Sequence, residues 1–420
     1  MDELTSFGAN VLLVSIGVSL ALLTMKLTHR VHVPAPALFL AAAALLSDLF
    51  PGLADAVSTE TVARIGVVAL IVILLDGGMH VGWRRFRRAA VPITVLGVLG
   101  TFATAAVMAF FAHLLFGFDW VTAGIIGAAL APTDPAVMFS VLGNREIGGR
   151  TGTILEGESG ANDPVGIALM IGMLELATRD DASFAVVIEE FALEMAVGLG
   201  VGVAGAGLLL FVTRRVSLPS PGLYPLAVLA LAGVIYGAAA VLHGSGFLAV
   251  FVAGLMIGDE RTPFHTEVES FHTSLASLAE IAVFIALGLT IDLGEVFGEG
   301  HWLDGLVLAV VLALVARPLV VGLLLLGARL RWGERAFVIW GGLKGAVPIL
   351  LAAFAVIAAV DDADRIYGIV FVVVMFSVLV QGTSIGTVAA RLGIPMRSIE
   401  HQPLTRSPGR VLVEGESDSA

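Results

Sequence analysis

Apolar runs of about 20 residues recur along this chain, separated by short polar turns; a run of that length spans the hydrocarbon of a bilayer as a helix. Of its 420 residues, 58% are hydrophobic and only 14% charged, and the mean hydropathy is +0.97. Soluble domains carry about 25% charged residues, so this chain cannot cover itself with polar surface. It is expected to be an all-α integral membrane protein. In lipid a spanning segment must satisfy its own backbone polar groups, and a helix does so.

Hydropathy places about thirteen transmembrane helices: 9–27, 33–50, 61–80, 91–117, 121–143, 151–176, 184–213, 221–242, 244–258, 270–290, 302–327, 335–358 and 365–387. Loop charge tests this segmentation, because cytoplasmic loops are rich in Lys and Arg. Alternate loops hold Lys26 and Arg30, then Arg84, Arg85, Arg87 and Arg88, then Arg145 and Arg150, Arg214 and Arg215, Arg261, and finally Arg329, Arg331 and Arg335. The intervening loops are acidic, with Asp48 and Asp55, Asp119, Asp180 and Asp181, Asp292 with Glu295 and Glu299, and Asp361, Asp362 and Asp364. The alternation predicts an N-terminus outside, a cytoplasmic C-terminus and residence in the cell (inner) membrane. Residues 395–420 are polar and are expected to form a short disordered tail. The first run ends in Lys26 and Arg30 with no small-residue cleavage site, so it is expected to stay as a helix.

Several function classes drop out. With no cysteine there is no disulfide, thiol nucleophile or thiolate metal site. No HExxH zinc motif, phosphate-binding loop or nucleophile elbow is present, so neither an enzyme nor a resident cofactor is expected. The net charge of -12 is divided by side and gives no reason to expect a nucleic-acid partner.

The chemistry lies in spans five, six and twelve. Pro132 and Pro135 flank Thr133-Asp134 in span five. Proline removes a backbone donor and clashes with the preceding turn, so this helix should break near mid-membrane. Span twelve carries a matching interruption, Gly341-Gly342-Leu343-Lys344-Gly345-Ala346-Val347-Pro348. The two spans run in opposite directions, and paired Gly/Pro interruptions in two halves point to an inverted-repeat transporter with two broken, crossing helices. Asp134 is placed to balance positive half-helix ends and Lys344 negative ones. In span six, Glu156, Ser159 and Asp163 share one helix face, with Glu158 and Asn162 on an adjacent one. An ionisable group in a membrane span is a functional-site hypothesis by default. Asp163, Asp134, the Ser159 hydroxyl and backbone oxygens freed at Thr133 can supply oxygen ligands to a hard monovalent cation. Desolvation and like charge both favour a carboxyl's protonated form, which suits Asp163 to hold either a proton or a cation. Asn162 is expected to fix the broken helix. Glu158 needs a partner, with Lys344 or Arg317 the candidates, and Glu280 is a further candidate for Arg317. Asp76 is expected near the inner end of span three, and His265 and His272 in or beside an inner loop.

These motifs carry a resemblance. Pro132-Thr133-Asp134-Pro135 followed by Glu156-Gly157-Glu158-Ser159-Gly160-Ala161-Asn162-Asp163 resembles the monovalent cation:proton antiporters of the sodium/hydrogen exchanger type. Asp76-Gly77-Gly78, His243-Gly244-Ser245-Gly246-Phe247 and the Lys344 stretch look like the same family, over residues 9–394. Leu155-Glu156-Gly157-Glu158-Ser159-Gly160 is most similar to its bacterial potassium/proton, cell-volume-regulation group. The resemblance implies a homodimer and exchange of Na+, K+ or Li+ for H+ by alternating access. It implies a core bundle (about 91–176 and 302–387) moving against a dimerisation bundle (about 9–80 and 221–290). It makes Asp163 the carrier, with Asp134, Thr133 and Ser159 as ion-site neighbours. The Asn-Asp pair implies electroneutral exchange. One departure is Lys344, where this branch usually shows Arg; lysine is a point charge, not a planar fork, which does not favour bidentate pairing with Glu158. The alternative reading is a monovalent cation channel or uniporter, which would conduct without a proton gradient.

Overall fold

The computed structural model describes residues 34–398 except 51, 53–56, 143–144, 180–181, 261 and 263, together with residues 15, 17 and 19. The expected first span, 9–27, falls outside the described residues but for those three positions, as do Lys26, Arg30 and residues 399–420.

In chain order the helices are α1 (Ala35–Leu49), α2 (Thr59–Val81), α3 (Trp83–Phe116), α4 (Trp120–Leu130), α5 (Pro135–Leu142), α6 (Gly149–Thr178), α7 (Phe184–Arg215) and α8 (Leu223–Val241). There follow α9 (Gly246–Gly258), α10 (His265–Leu289), the short α11 (Leu293–Gly298), α12 (His301–Gly327), α13 (Trp332–Gly341), α14 (Ala346–Ile357) and α15 (Ala363–Arg391). Every expected span after the first coincides with one helix or a pair of half-helices. Among the described residues, eight helical runs are long and apolar enough to cross a membrane, while α1, α4 and α9 are apolar but shorter.

Local chemistry sets the boundaries. Ser58, Asp119, Ser183, Ser245 and Asp292 each accept a hydrogen bond from a first-turn amide of the helix that follows, satisfying donors that a helix start leaves free. Between α8 and α9, His243 adopts a left-handed φ of 56°, and Ser245 then restarts the helix. Asp76-Gly77-Gly78 lies inside α2; the chain turns at Gly82, whose φ of 66° suits glycine.

Helices α3 to α6 and α12 to α15 pack largely on one another. Helices α1, α2 and α7 to α10 form a second group, with an apolar cluster of its own that includes Leu75, Leu209, Val228 and Val250. Between the groups runs α6, approached on several sides through glycine. A side chain at Gly157 would overlap Ile93 of α3, one at Gly160 the Phe251 ring of α9, one at Gly166 the Pro132 ring, and one at Gly172 Val187 of α7. Small residues let helix backbones close up where lipid supplies no hydrophobic drive.

Two short strands, β1 (Arg145–Ile147) and β2 (Met396–Ser398), pair antiparallel, with Glu146 opposite Arg397. Residues 396–398 were expected in a disordered tail; they find edge partners in the loop between α5 and α6 and are ordered there.

Gly160→Ala is expected to lower the thermal stability of the detergent-solubilised protein by about 1–3 kcal/mol, the usual range for overpacking. Phe251→Leu on that background should recover part of the loss. Gly200→Ala, where nothing lies within 4 Å of the added carbon, should show none.

Candidate functional site

The two broken helices meet at their gaps. Residues 131–134 separate α4 from α5, and residues 342–345 separate α13 from α14. The Asp134 amide donates to the Leu343 carbonyl at 2.8 Å, so the gaps are joined by backbone.

Each half-helix that ends at a gap exposes carbonyls without intrahelical donors, and each such end has a cation. Lys344 Nζ donates to the Ala131 carbonyl at 2.9 Å and the Pro132 carbonyl at 2.7 Å, beyond the C-terminus of α4. Lys344 is completely buried. Arg317 donates to the Val338 carbonyl at 3.1 Å and the Ile339 carbonyl at 3.5 Å, in the last turn of α13. The Asp134 carboxylate lies against Gly345, at the N-terminus of α14; a side chain at Gly345 would overlap it. Gly342 is held bare in the same way by the Arg317 guanidinium. The Lys344 amide donates to Ser377 Oγ at 2.9 Å. Ser377 lies in a π-helical turn of α15, 377–382; such turns recur at functional sites.

Helix α6 holds the first gap open. Asn162 Nδ2 donates to Thr133 Oγ1 at 2.8 Å, and Asn162 Oδ1 accepts from the Thr133 amide at 3.3 Å. Ser159 Oγ donates to the Thr133 carbonyl at 2.6 Å. Thr133, Ser159, Asn162 and Asp163 are all buried, and Asp134 is half-buried. The sequence-predicted oxygens therefore converge. Asp163 Oδ1 is buried with no hydrogen-bond partner, and the charges acting on it are those of Asp134 and Lys344. Pro164 follows within the same helix; its missing amide leaves the Gly160 carbonyl without its helical donor. Sequence reasoning missed Ser377 and the Gly160 carbonyl, although Pro164 was a legible signal for the latter.

Glu158 Oε1 pairs with Arg317 Nη1 at 2.6 Å, with side chains 3% and 4% exposed respectively. Arg317 was thus the right candidate partner; Lys344 makes its hydrogen bonds to carbonyls. Glu156 is half-buried on the same helix.

The comparisons bear on this geometry. Residues 17–391 match the family model for the sodium/hydrogen exchanger transmembrane region. This chain belongs to the sodium/hydrogen exchanger family. It is 34% identical to the K(+)/H(+) antiporter NhaP2 of Shewanella sp. (strain ANA-3), over 93% of this chain and 68% of that protein. It is 32% identical to the K(+)/H(+) antiporter NhaP of Alkalimonas amylolytica, over 94% of this chain and 69% of that protein. The Na(+)/H(+) antiporter ApNhaP of Aphanothece halophytica is 28% identical, over 77% of this chain and 63% of that protein. Among solved structures, the sodium proton antiporter MjNhaP1 of Methanocaldococcus jannaschii superposes with a TM-score of 0.77 at 22% identity, covering 91% of this chain and 98% of that one. That likeness establishes the fold.

Two polar residues of this sodium/hydrogen exchanger family member, Glu280 and His272, depart from sequence expectation, while Asp76 lies near the end of α2 as expected. Glu280 does not pair with Arg317. It projects from α10, feels the charge of Asp134, and leaves Oε1 buried without a partner. Asp76 is engaged by neighbours: Oδ1 accepts from Thr273 Oγ1 at 3.0 Å, and Oδ2 lies 3.3 Å from His80 Nδ1. His272 was expected in or beside a loop. It is fully buried on α10, with Nδ1 2.8 Å from the Val268 carbonyl oxygen. Away from the gaps, Glu295, Glu299 and His301 bring three ligand atoms within 4.8 Å of one another at the α11–α12 turn.

Arg317→Ala strands the Glu158 carboxylate and the carbonyls of α13. A loss on the order of 3–5 kcal/mol is expected, read as thermal unfolding in detergent. Glu158→Gln combined with Arg317→Gln removes both charges together and should cost clearly less. Equal losses would mean that the pair is not energetically coupled.

Proposed function

We propose that the protein is a secondary active monovalent cation/proton antiporter, in which a proton and Na+, K+ or Li+ compete for Asp163 by alternating access. The observation that carries this reading is the Asp163 carboxylate: buried, one oxygen without a protein partner, beside the joined gaps of two broken helices. Relatives described as K(+)/H(+) and Na(+)/H(+) antiporters support it. Potassium is the first cation to test, because the relatives at 34% and 32% identity reported above are described as K(+)/H(+) antiporters.

The cation would take oxygens from Asp163 and Asp134, with Thr133 and Ser159 beside them. Asn162 keeps Thr133 in place. Glu158, Arg317 and Lys344 compensate charge, and Glu156 continues the polar stripe toward one surface. Ionised, Asp163 is an uncompensated charge in a low-dielectric site, and carrying it across the membrane is costly. A bound proton or a bound cation removes that charge equally well. Only the two occupied forms then cross readily, and the exchange is one for one. Lys344 already donates to two carbonyls in this arrangement. It need not change partner when Asp163 changes occupant, which supports an electroneutral cycle.

The core bundle (about 91–176 and 302–387) would carry the site past a dimerisation bundle (about 9–80 and 221–290) of a homodimer. The separate apolar cluster within α2 and α7 to α10 supports a panel that keeps its shape. Loop charge supports a cell (inner) membrane protein with its N-terminus outside and its C-terminus cytoplasmic.

In proteoliposomes loaded with a pH dye, K+ or Na+ should drive proton movement by the wild type and none by Asp163→Asn. Normal exchange by that variant removes Asp163 as the carrier. An electroneutral step moves no net charge through the field, which is worth about 2.3 kcal/mol per charge per 100 mV. The wild-type rate should therefore be unchanged by an imposed voltage. A voltage-dependent rate defeats the one-for-one cycle, and cation flux without accompanying proton movement favours a channel.

A further inference from the structure

The exchange reading leaves unused a basic segment at the start of α3. Residues 83–88 read Trp-Arg-Arg-Phe-Arg-Arg. Two bends bracket them: Gly82, with φ 66°, and Ala89, whose φ of -120° and ψ of 15° interrupt the helix. Arg84, Arg87 and Arg88 stand at i, i+3 and i+4, on one face. Together with Trp83 they line a cavity of about 300 Å³. Trp83 stacks on Phe86 with ring centroids 5.9 Å apart and is 46% exposed.

The sign of this loop follows from the preference for basic residues on the cytoplasmic side. Its arrangement does not. Some arginines on that side are engaged, Arg214 with Glu260, Arg331 with Glu334, and Arg335 with the carbonyls of Leu326 and Ala328; others, such as Arg215 and Arg329, stand singly, whereas Arg84, Arg87 and Arg88 line one cavity together. Arg85 turns back to the Val81 carbonyl at 2.9 Å. The nearby carboxylate, Asp259, accepts from the Arg84 amide. Among the described residues, the guanidinium groups of Arg84, Arg87 and Arg88 have no carboxylate partner. Three unpaired guanidiniums facing one cavity repel, and an anion relieves them; the planar fork matches phosphate oxygens in pairs.

We propose that Arg84, Arg87 and Arg88, with Trp83, bind the phosphate headgroup of an anionic phospholipid. The Trp83–Phe86 stack favours a lipid over a free anion, because aromatic rings settle at headgroup level. Farther along α3, Val91 is 75% exposed, as an acyl-chain contact would be. The site lies where the two helix groups touch, because Asp259 follows α9 and meets the first turn of α3. Beyond it, α3 packs through Ile93 and Gly97 onto Gly157 and Ala161 of α6. A bound headgroup therefore anchors the helix that backs the ion site.

The test uses the full purified chain in a neutral detergent and does not depend on transport or on orientation. Melting is followed as phosphatidylglycerol, phosphatidylcholine or inorganic phosphate is titrated. Phosphatidylglycerol should raise the wild-type midpoint well above phosphatidylcholine at equal mole fraction. Each arginine near an anionic surface is worth about a factor of five in affinity. Arg87→Gln/Arg88→Gln should then need about thirtyfold more phosphatidylglycerol for half its effect. Both side chains are exposed, and an unchanged midpoint in phosphatidylcholine checks the fold of this variant. Arg215→Gln/Arg329→Gln removes the same charge elsewhere and should respond like the wild type. An undiminished response in the Arg87/Arg88 variant, or an equal loss in the control pair, overturns the site. A wild-type shift of the same size with inorganic phosphate overturns the lipid assignment in favour of a free-anion site.

Discussion

A buried ammonium group on two carbonyls is the contact on which this architecture rests. Breaking a helix at bilayer depth strips several carbonyls of their donors, and lipid offers no replacement. An unpaired polar group there costs several kcal/mol, so two broken spans are tolerable only if the gaps are filled from within. Lys344 fills one end, on Ala131 and Pro132, and Arg317 fills the other, on Val338 and Ile339. Gly342 and Gly345 are bare because a charged group occupies the space a side chain would need. The interruptions and the charges are therefore one feature. Each is unaffordable without the other.

Against that well-satisfied background, the unsatisfied atoms stand out. Buried carboxylate oxygens without a partner occur at Asp163, Glu158 and Glu280, and all three belong to helices that converge on the gaps. In most proteins a buried polar atom is hydrogen-bonded. Here the three carboxylate exceptions lie on helices that meet where an ion with few water molecules would need oxygen, whereas the nitrogens of His272, His301 and Arg335 are exceptions of another kind. Glu158 keeps its other oxygen on Arg317 and so has a structural task. Asp163 has no protein hydrogen bond to Oδ1, which fits a residue whose partner changes.

What the sequence could show was whatever is local. Hydropathy over about 20 residues gave the spans, and Pro132, Pro135 and the glycines near 342 gave both gaps, because proline and glycine act on their own backbone. The face shared by Ser159 and Asp163 followed from helical periodicity alone. What it could not show was reach. Arg317 and Lys344 are both cations inside spans, and nothing in their neighbours says which one meets Glu158; the 22 residues from Arg317 to Ile339 close a contact that only the fold creates. Glu280 was assigned the wrong partner for the same reason. His272 looked like a loop residue because its segment is polar, yet it lies on the packed face of α10. The pairing of 396–398 with 145–147 joins strands about 250 residues apart, beyond any local signal.

On the proposed exchange, charge at the crossing would let one carboxylate serve two ions. The core helices bring two fixed cations, Lys344 and Arg317, to three carboxylates, Glu158, Asp134 and Asp163. Arg317 is matched by Glu158 at contact distance. Lys344 is committed to carbonyls, with the Asp134 carboxylate near the same gap. With these five ionised, the core helices carry one negative charge too many, and Asp163 has a buried oxygen without a protein partner and, among the described residues, no ion pair of its own. A single proton or a single monovalent cation closes that difference, whereas both together overshoot it. On the proposed exchange, competition at Asp163 then needs no separate rule. It follows from an odd number of charges held where an unbalanced one is expensive.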